Sequence, residues 1–206
     1  MEIELKYRLN EEGEGLKIFE DFKGKTQIIS GSIKDIDLYS AYLDTRERAL
    51  EKNMAAFRIR QRGTEYEATL KWGGGVSQGL HERKEINLPV EKSFQLNPDI
   101  GVFKNINPPI EFLNNVKGPL EKTVETQFKR LSWRIQDGDT ILEFCFDRGM
   151  IVAGEKKDPI LELEVELIEG DRSKLESCGA RIADIYGLEP EMRSKYERGL
   201  RLQRDI

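Results

Sequence analysis

The 206-residue sequence is poor in the side chains that build most soft-metal and nucleophilic sites, with one histidine, His81, and two cysteines, Cys145 and Cys178. Nitrogen and sulfur zinc sites are therefore disfavoured, as is a catalytic triad that needs Ser or Cys beside His and Asp. Any metal bound here calls for oxygen ligands. Two cysteines are too few for a disulfide framework. No apolar stretch approaches the roughly 18 residues of a membrane-spanning helix, and the opening segment lacks the basic and apolar parts of a secretory signal. These absences predict a soluble, cytoplasmic protein. A positive excess is missing too: 33 Lys and Arg stand against 38 Asp and Glu, a formal charge of −5, which argues against general nucleic-acid binding.

What the sequence has in excess is charge of both signs, 34% of residues against a typical share of roughly 25%. The length suits one domain with a sizeable core, and residues 1–206 are read as that domain. The segment at about 91–119, which holds four of the seven prolines, is read as an irregular helical insertion.

Strands dominate the remainder, because charged and apolar residues alternate with period two, the spacing that sends successive side chains to opposite faces of a sheet. Glu2, Glu4, Lys6 and Arg8 lie opposite Ile3, Leu5 and Tyr7. Arg58, Arg60 and Arg62 lie opposite Phe57 and Ile59, and Glu67, Thr69 and Lys71 opposite Tyr66, Ala68 and Leu70. Arg83, Glu85 and Asn87 follow, then Arg130, Ser132 and Arg134. After a hairpin signal at Asp137-Gly138-Asp139 come Glu143, Cys145 and Asp147, and later Glu162, Glu164 and Glu166. Helices are predicted over 11–22, 173–186 and 189–198, the last carrying Lys195, with a short helical stretch at 45–51. Gly73-Gly74-Gly75 is read as a hairpin loop, because it lacks the Lys and Ser or Thr of a P-loop, and His81 as a surface or rim residue.

A charged strand face is ordinarily a solvated one. Two features favour another arrangement. Several stripes are nearly pure in sign, so their members repel one another, and stripes of opposite sign sit on different strands. A closed antiparallel barrel of about eight strands would set these stripes facing each other across a polar lumen, with the apolar faces turned outward. Acidic stripes offer the oxygen ligands that Mg²⁺ or Mn²⁺ prefers, and basic stripes grip phosphate oxygens. Phosphoryl transfer needs both.

The residues that carry this argument also resemble a known family. Glu2-Ile3-Glu4-Leu5-Lys6 is similar to the ExExK signature of the CYTH superfamily, the triphosphate tunnel metalloenzymes. Tyr42-Leu43-Asp44-Thr45, Phe57-Arg58-Ile59-Arg60, Thr69-Leu70-Lys71, Phe146-Asp147-Arg148-Gly149, the Leu161 to Leu167 stripe and Ser194-Lys195-Tyr196-Glu197-Arg198-Gly199 match in order along the chain. The resemblance implies an α+β, mainly β fold: an eight-stranded antiparallel closed barrel with helices packed outside and at the C-terminus. It implies metal binding by Glu2, Glu4, Asp147, Glu162 and Glu164, with Mg²⁺ or Mn²⁺ as cofactor. Triphosphate would be gripped by Lys6, Arg58, Arg60, Lys71, Arg130 and Lys195, and catalysis would depend most on Glu4, Lys6 and Glu164. The sequence leaves open whether Arg8, Arg62, Glu85, Arg134, Glu143 and Glu166 face the tunnel. Among the activities of this family, hydrolysis of inorganic triphosphate to diphosphate and phosphate is expected. Alternatives are thiamine triphosphatase, a class IV adenylyl cyclase, and a non-catalytic polyphosphate- or nucleotide-binding module. The expected partner is a small-molecule triphosphate rather than nucleic acid or membrane, and the chain is expected to be a monomer or homodimer.

Overall fold

The computed structural model describes residues 1–25 and 28–204. Eight strands form the barrel: β1 (Glu2–Arg8), β2 (Lys34–Thr45), β3 (Ala55–Arg62), β4 (Glu65–Ser77), β5 (Leu80–Val90), β6 (Leu120–Asp137), β7 (Thr140–Ala153) and β8 (Lys156–Glu169). A two-residue strand β9 (Glu189–Pro190) extends the β1 edge, and four helices complete the chain: α1 (Glu12–Lys25), α2 (Ala49–Lys52), α3 (Arg172–Tyr186) and α4 (Lys195–Arg204).

The strands pair antiparallel in the order β5-β4-β3-β2-β6-β7-β8-β1, and a further β1–β5 pairing closes the ring. Closure rests on β1, which sets Glu4 opposite Glu166 of β8 and opposite His81 of β5. Residues directly opposite in an antiparallel pair share a face, so this register carries the inward stripe from strand to strand. On the other face, Leu5, Tyr7, Trp133, Phe144, Phe146, Leu163 and Val165 are buried beneath α1 and α3. Trp133 stacks on Phe144 with ring centroids 5.3 Å apart, and Phe19 of α1 tilts against it at 5.1 Å. Each fully buried side chain of this size contributes roughly 2–3 kcal/mol. A second outer cluster covers β3 and β4. There, 3₁₀ turns at Lys92–Gln95, Ile100–Phe103 and Glu111–Asn115 bring Phe103, Ile110 and Leu113 over Phe57 and Leu70.

α3 forms where the sequence announces it. The Asp171 side chain accepts the Ser173 amide at 2.8 Å as its N-cap, and Gly187 ends it with φ of 64°. α4 packs differently from the other helices. Its Tyr196 and Leu200 bury against Tyr42, Val124, Ile151 and Ile160, residues of the inward stripes. It therefore fills one end of the barrel.

Two local expectations are corrected. Gly73-Gly74-Gly75 lies within β4, at a bulge in its pairing with β5, and the hairpin turns instead at Gln78 and Gly79. The close approach explains the glycine: a Cβ on Gly74, whose φ is 87°, would sit 1.7 Å from the Glu82 carbonyl oxygen. The segment expected to be helical at 189–198 begins as β9, paired to Tyr7 and Arg8, and turns helical only at Lys195.

Candidate functional site

The inward stripes converge on a cavity of about 240 Å³, whose lining includes Glu2, Glu4, Lys6, Arg58, Arg60, Lys71, Arg130, Glu164 and Lys195. Period-two alternation on five strands and the first turn of α4 deliver these groups to one space. Asp147, Glu162 and Glu164 offer oxygens that all lie within 4.8 Å of one another. These three are 0%, 1% and 6% exposed, so water cannot screen them and neighbouring cations must compensate them.

Those cations are in place. Lys6 Nζ lies 2.7 Å from Glu164 and 3.4 Å from Glu4. Lys195 Nζ lies 2.7 Å from Asp147 and 2.8 Å from Glu164, and also donates to Glu162. Arg130 grips both oxygens of Asp147, at 2.7 and 2.6 Å, and reaches Glu164. Arg198 donates to Glu162 at 3.0 Å and to Asp158 at 2.8 Å. Burial pushes the Glu164 carboxyl up, but Lys195, Lys6 and Arg130 outweigh it and hold the group well below the ordinary range. Glu162 is raised, burial and the neighbouring carboxylates prevailing over Lys195 and Lys6. Burial lowers the Lys6 ammonium, yet Glu164, Glu4 and Glu162 keep it charged well above its usual value.

A second set of pairs lies across the cavity. Lys71 bridges Glu2 at 2.6 Å and Glu85 at 2.7 Å. Burial, with Glu4 and Glu85 adding to it, lifts Glu2 to about 7 despite Lys71. Glu85 goes the other way, to about 2, because Lys71 and Arg58 outweigh its burial. Asn87 donates to Glu85 at 2.7 Å and accepts from Thr69, whose hydroxyl in turn accepts from Arg58 at 3.1 Å. Arg60 is less compensated. Burial, Arg58 and Arg130 lower it to about 10, and its Nε donates to Ser40 at 3.1 Å. Positive charge thus collects around Arg58 and Arg60, next to Arg130, which is itself bound to Asp147 and Glu164. The buried Phe128 ring lies beside three of these cations, with Lys195, Arg130 and Arg60 at 5.0, 5.6 and 5.7 Å from its centre.

Of the sequence-predicted metal ligands, the structure groups Asp147, Glu162 and Glu164, with Glu4 at the margin through Lys6 and Glu2 drawn away by Lys71. All six cations predicted to hold triphosphate line the cavity. The positions left open also separate. Glu85 and Glu166 line the same space. Arg62, Arg134 and Glu143 border a wider chamber of about 460 Å³ that shares Arg60, Glu67 and Arg130 with the cavity and reaches the barrel mouth. Arg8 leaves the tunnel and pairs with Glu191.

His81 was expected at the rim and is buried instead, its Nε2 donating to the Glu191 carbonyl at 2.9 Å. Its β5 position opposite Glu4 turns it inward. Arg83, placed on a charged stripe by parity, also lines the cavity, whereas three uncharged lining residues, Tyr42, Ser194 and Tyr196, were given no site role by the sequence. Tyr42 follows Ile36, Leu38 and Ser40 in the same parity on β2 and carries no charge of its own to mark it. Burial would raise its hydroxyl, but Arg58, Arg60, Lys71 and Lys195 together pull it below the ordinary value.

An all-oxygen, buried, triply acidic set of donors fits a hard divalent cation such as Mg²⁺ or Mn²⁺. The facing cations fit the anionic oxygens of a phosphate chain.

Comparison with known proteins agrees with this geometry. The family model of the CYTH domain matches residues 1–200. Over 140 residues the chain is 36% identical to the inorganic triphosphatase of Haemophilus influenzae, a match covering 67% of this chain and 38% of that protein. The match thus spans well under half the length of that curated relative. Among solved structures, a candidate adenylyl cyclase from Hippeastrum, described as having a dominant triphosphatase activity, superposes with a TM-score of 0.69 at 18% identity, covering 95% of this chain and 93% of that one. A candidate adenylate cyclase from Bacillus halodurans superposes with a TM-score of 0.61 at 20% identity, covering 96% of each. At these identities the structures show a shared fold.

Proposed function

The chain belongs to the CYTH domain family, and from that membership and the site geometry we propose that it hydrolyses inorganic triphosphate, or a closely related triphosphate, to diphosphate and phosphate with the help of a divalent metal ion. The observation that carries this reading is the buried acidic triad of Asp147, Glu162 and Glu164, whose member Glu164 lines the same cavity as Arg58, Arg60 and Arg130. The 36% identity to an inorganic triphosphatase supports it. Residues 1–206 are taken as one tunnel domain, with 91–119 an insertion on its outer surface.

In this reading Asp147, Glu162 and Glu164, with Glu4 beside them, hold the metal. A divalent ion bound there supplies positive charge to phosphate oxygens and lowers the pKa of water. Arg58, Arg60, Lys71 and Arg130 line up the phosphate chain and stabilise the charge that spreads over its oxygens as the bond breaks. Lys6 and Lys195 stand between carboxylates and cavity, close enough to serve either. Burial excludes bulk water, so each of these charges acts at low dielectric. Cyclisation of ATP would in addition require a seat for adenine. The rings of Tyr42 and Tyr196, the aromatic pair in the cavity lining, are stacked on each other at 5.0 Å and 18°, so their facing surfaces are already occupied.

The test is a substrate panel with product identification, run with Mg²⁺, with Mn²⁺ and with chelator. Phosphate release from inorganic triphosphate that stops in chelator is expected. Cyclic AMP plus diphosphate from ATP, or binding without turnover, would replace this reading by the cyclase or by a binding module.

A further inference from the structure

The arginines and lysines divide the oxygens of the acidic triad between them. Arg130 takes Glu164 Oε2 and both oxygens of Asp147, and Arg198 takes Glu162 Oε2. The oxygens turned away from the arginines, Glu162 Oε1 and Glu164 Oε1, are the ones that meet Lys195, together with Asp147 Oδ2. One ammonium therefore touches one oxygen of every member of the triad. Mg²⁺ bonds carboxylate oxygens at roughly 2.0–2.1 Å, so an ion held by these same three atoms would lie within a few ångströms of Lys195 Nζ as it now stands. Two cations cannot share that position without strong repulsion.

We propose that the Lys195 ammonium is the resident counter-ion of the triad, and that metal binding and this placement of Lys195 are mutually exclusive: the ion takes the carboxylates and expels Nζ into the cavity, toward a phosphate oxygen. The idea rests on the metal reading above and adds an exchange to it. The setting permits the movement. Lys195 is the first residue of α4, so its four-carbon stem swings from the helix end without disturbing the turns behind it. Arg198, one turn later, keeps α4 anchored on Glu162 Oε2 and Asp158. Phe128 lies 5.0 Å from Nζ, so the ammonium already has a ring face beside it as well as the carboxylates. Lys6 shares Glu164 Oε1 at 2.7 Å but is 3.7 Å from Glu162, so it flanks the position that Lys195 fills. The exchange couples the metal to the substrate. Before metal arrives, Lys195 is spent on neutralising carboxylates; afterwards it adds one cation to the phosphate-binding wall.

The experiment measures Mn²⁺ binding without substrate, by electron paramagnetic resonance of the free ion, for the wild type, Lys195→Met and Lys71→Met. Exchange predicts that Lys195→Met binds Mn²⁺ at least about tenfold more tightly than wild type, because the ion no longer competes with a cation within a few ångströms. Lys71→Met, whose ammonium sits on Glu2 and Glu85, should change affinity far less. Equal or weaker binding by Lys195→Met overturns the exchange while leaving the metal reading intact. Failure of the wild type to bind Mn²⁺ at all overturns both. Wild-type crystals soaked in Mn²⁺ give a second readout that needs no variant. An anomalous peak among Asp147, Glu162 and Glu164 with Nζ withdrawn supports the exchange, and a peak there with Nζ still bonded to all three carboxylates refutes it.

Discussion

Lys6 and Lys195 meet at a single atom, Oε1 of Glu164, at 2.7 and 2.8 Å, one arriving from β1 and the other from the first turn of α4. With Arg130 on its other oxygen, Glu164 compensates three buried cations. Glu164→Gln would leave them facing one another with one charge fewer between them. Removing one partner of a buried charged pair costs about 3–5 kcal/mol, and the variant should lose stability of that order in urea unfolding. Turnover of inorganic triphosphate should fall by at least about 10²-fold, the scale of losing one well-placed electrostatic group. A variant with near-normal turnover would remove Glu164 from the site.

Glu2 makes a graded contrast. It sits on Lys71 rather than in the triad, and its carboxyl is raised to about 7 by burial and by Glu4 and Glu85 against Lys71. Glu85 holds Lys71 independently at 2.7 Å. Glu2→Gln should therefore reduce turnover less than about tenfold, below the full loss of a charge-assisted hydrogen bond, because Glu85 keeps Lys71 in place. A loss as deep as that of Glu164→Gln would mean that Glu2 joins the metal ligands, as the sequence resemblance implies.

Packing behind the site is as testable as the charges. A Cβ on Gly199 would sit 2.3 Å from Val124 and 3.1 Å from Ile151, so α4 can lie this close only because residue 199 has no side chain. Gly199→Leu should cost about 1–3 kcal/mol through overpacking. It should also raise KM for triphosphate by shifting Lys195, one turn away. A destabilised variant with unchanged KM would show that α4 does not position Lys195.

Glu166 gives the pH dependence. Burial, then Glu2 and Glu4, lift its carboxyl from 4.5 to about 8, so the folded protein holds this proton more tightly than the unfolded chain does. The stability it contributes is complete below the unfolded value and is lost as pH rises through about 8. In chelator, urea midpoints should fall between about pH 4.5 and about pH 8 and level off above, and Glu166→Gln, which cannot ionise, should fall less. Parallel profiles would place Glu166 in a more solvated setting.

Strand parity made the inner surface legible. Lys6, Arg58, Lys71, Arg130 and Glu164 all line the cavity, with Asp147 held against it by Arg130 and Lys195, because a period of two leaves a charged residue no choice of face once its apolar neighbour is buried. Parity does not say where along the tunnel a residue sits, which is why Arg8 and Arg62 read like Lys6 and Arg60 yet pair with Glu191 and Glu65 nearer the solvent. Nor does it register a neutral inward residue. Tyr42 and His81 escaped because their roles follow from which strands become neighbours, a relationship set across long stretches of chain. The Gly73-Gly74-Gly75 bulge was misread for a related reason: glycine marks both turns and close backbone approaches, and only the pairing of β4 with β5 distinguishes them.

The β1 seam has a consequence for how the protein comes to exist. β1 bonds to β5 on one side and to β8 on the other, so the ring cannot close until nearly the whole chain is present. Until then β5 and β8 each expose an unsatisfied edge, the kind of surface that recruits other chains. Pairings this distant in sequence form slowly. Glu4 and Lys6 occupy that seam, so the last contacts to form during folding also complete the charged cavity. Partly folded chains should be more prone to aggregate than to act as weak enzymes.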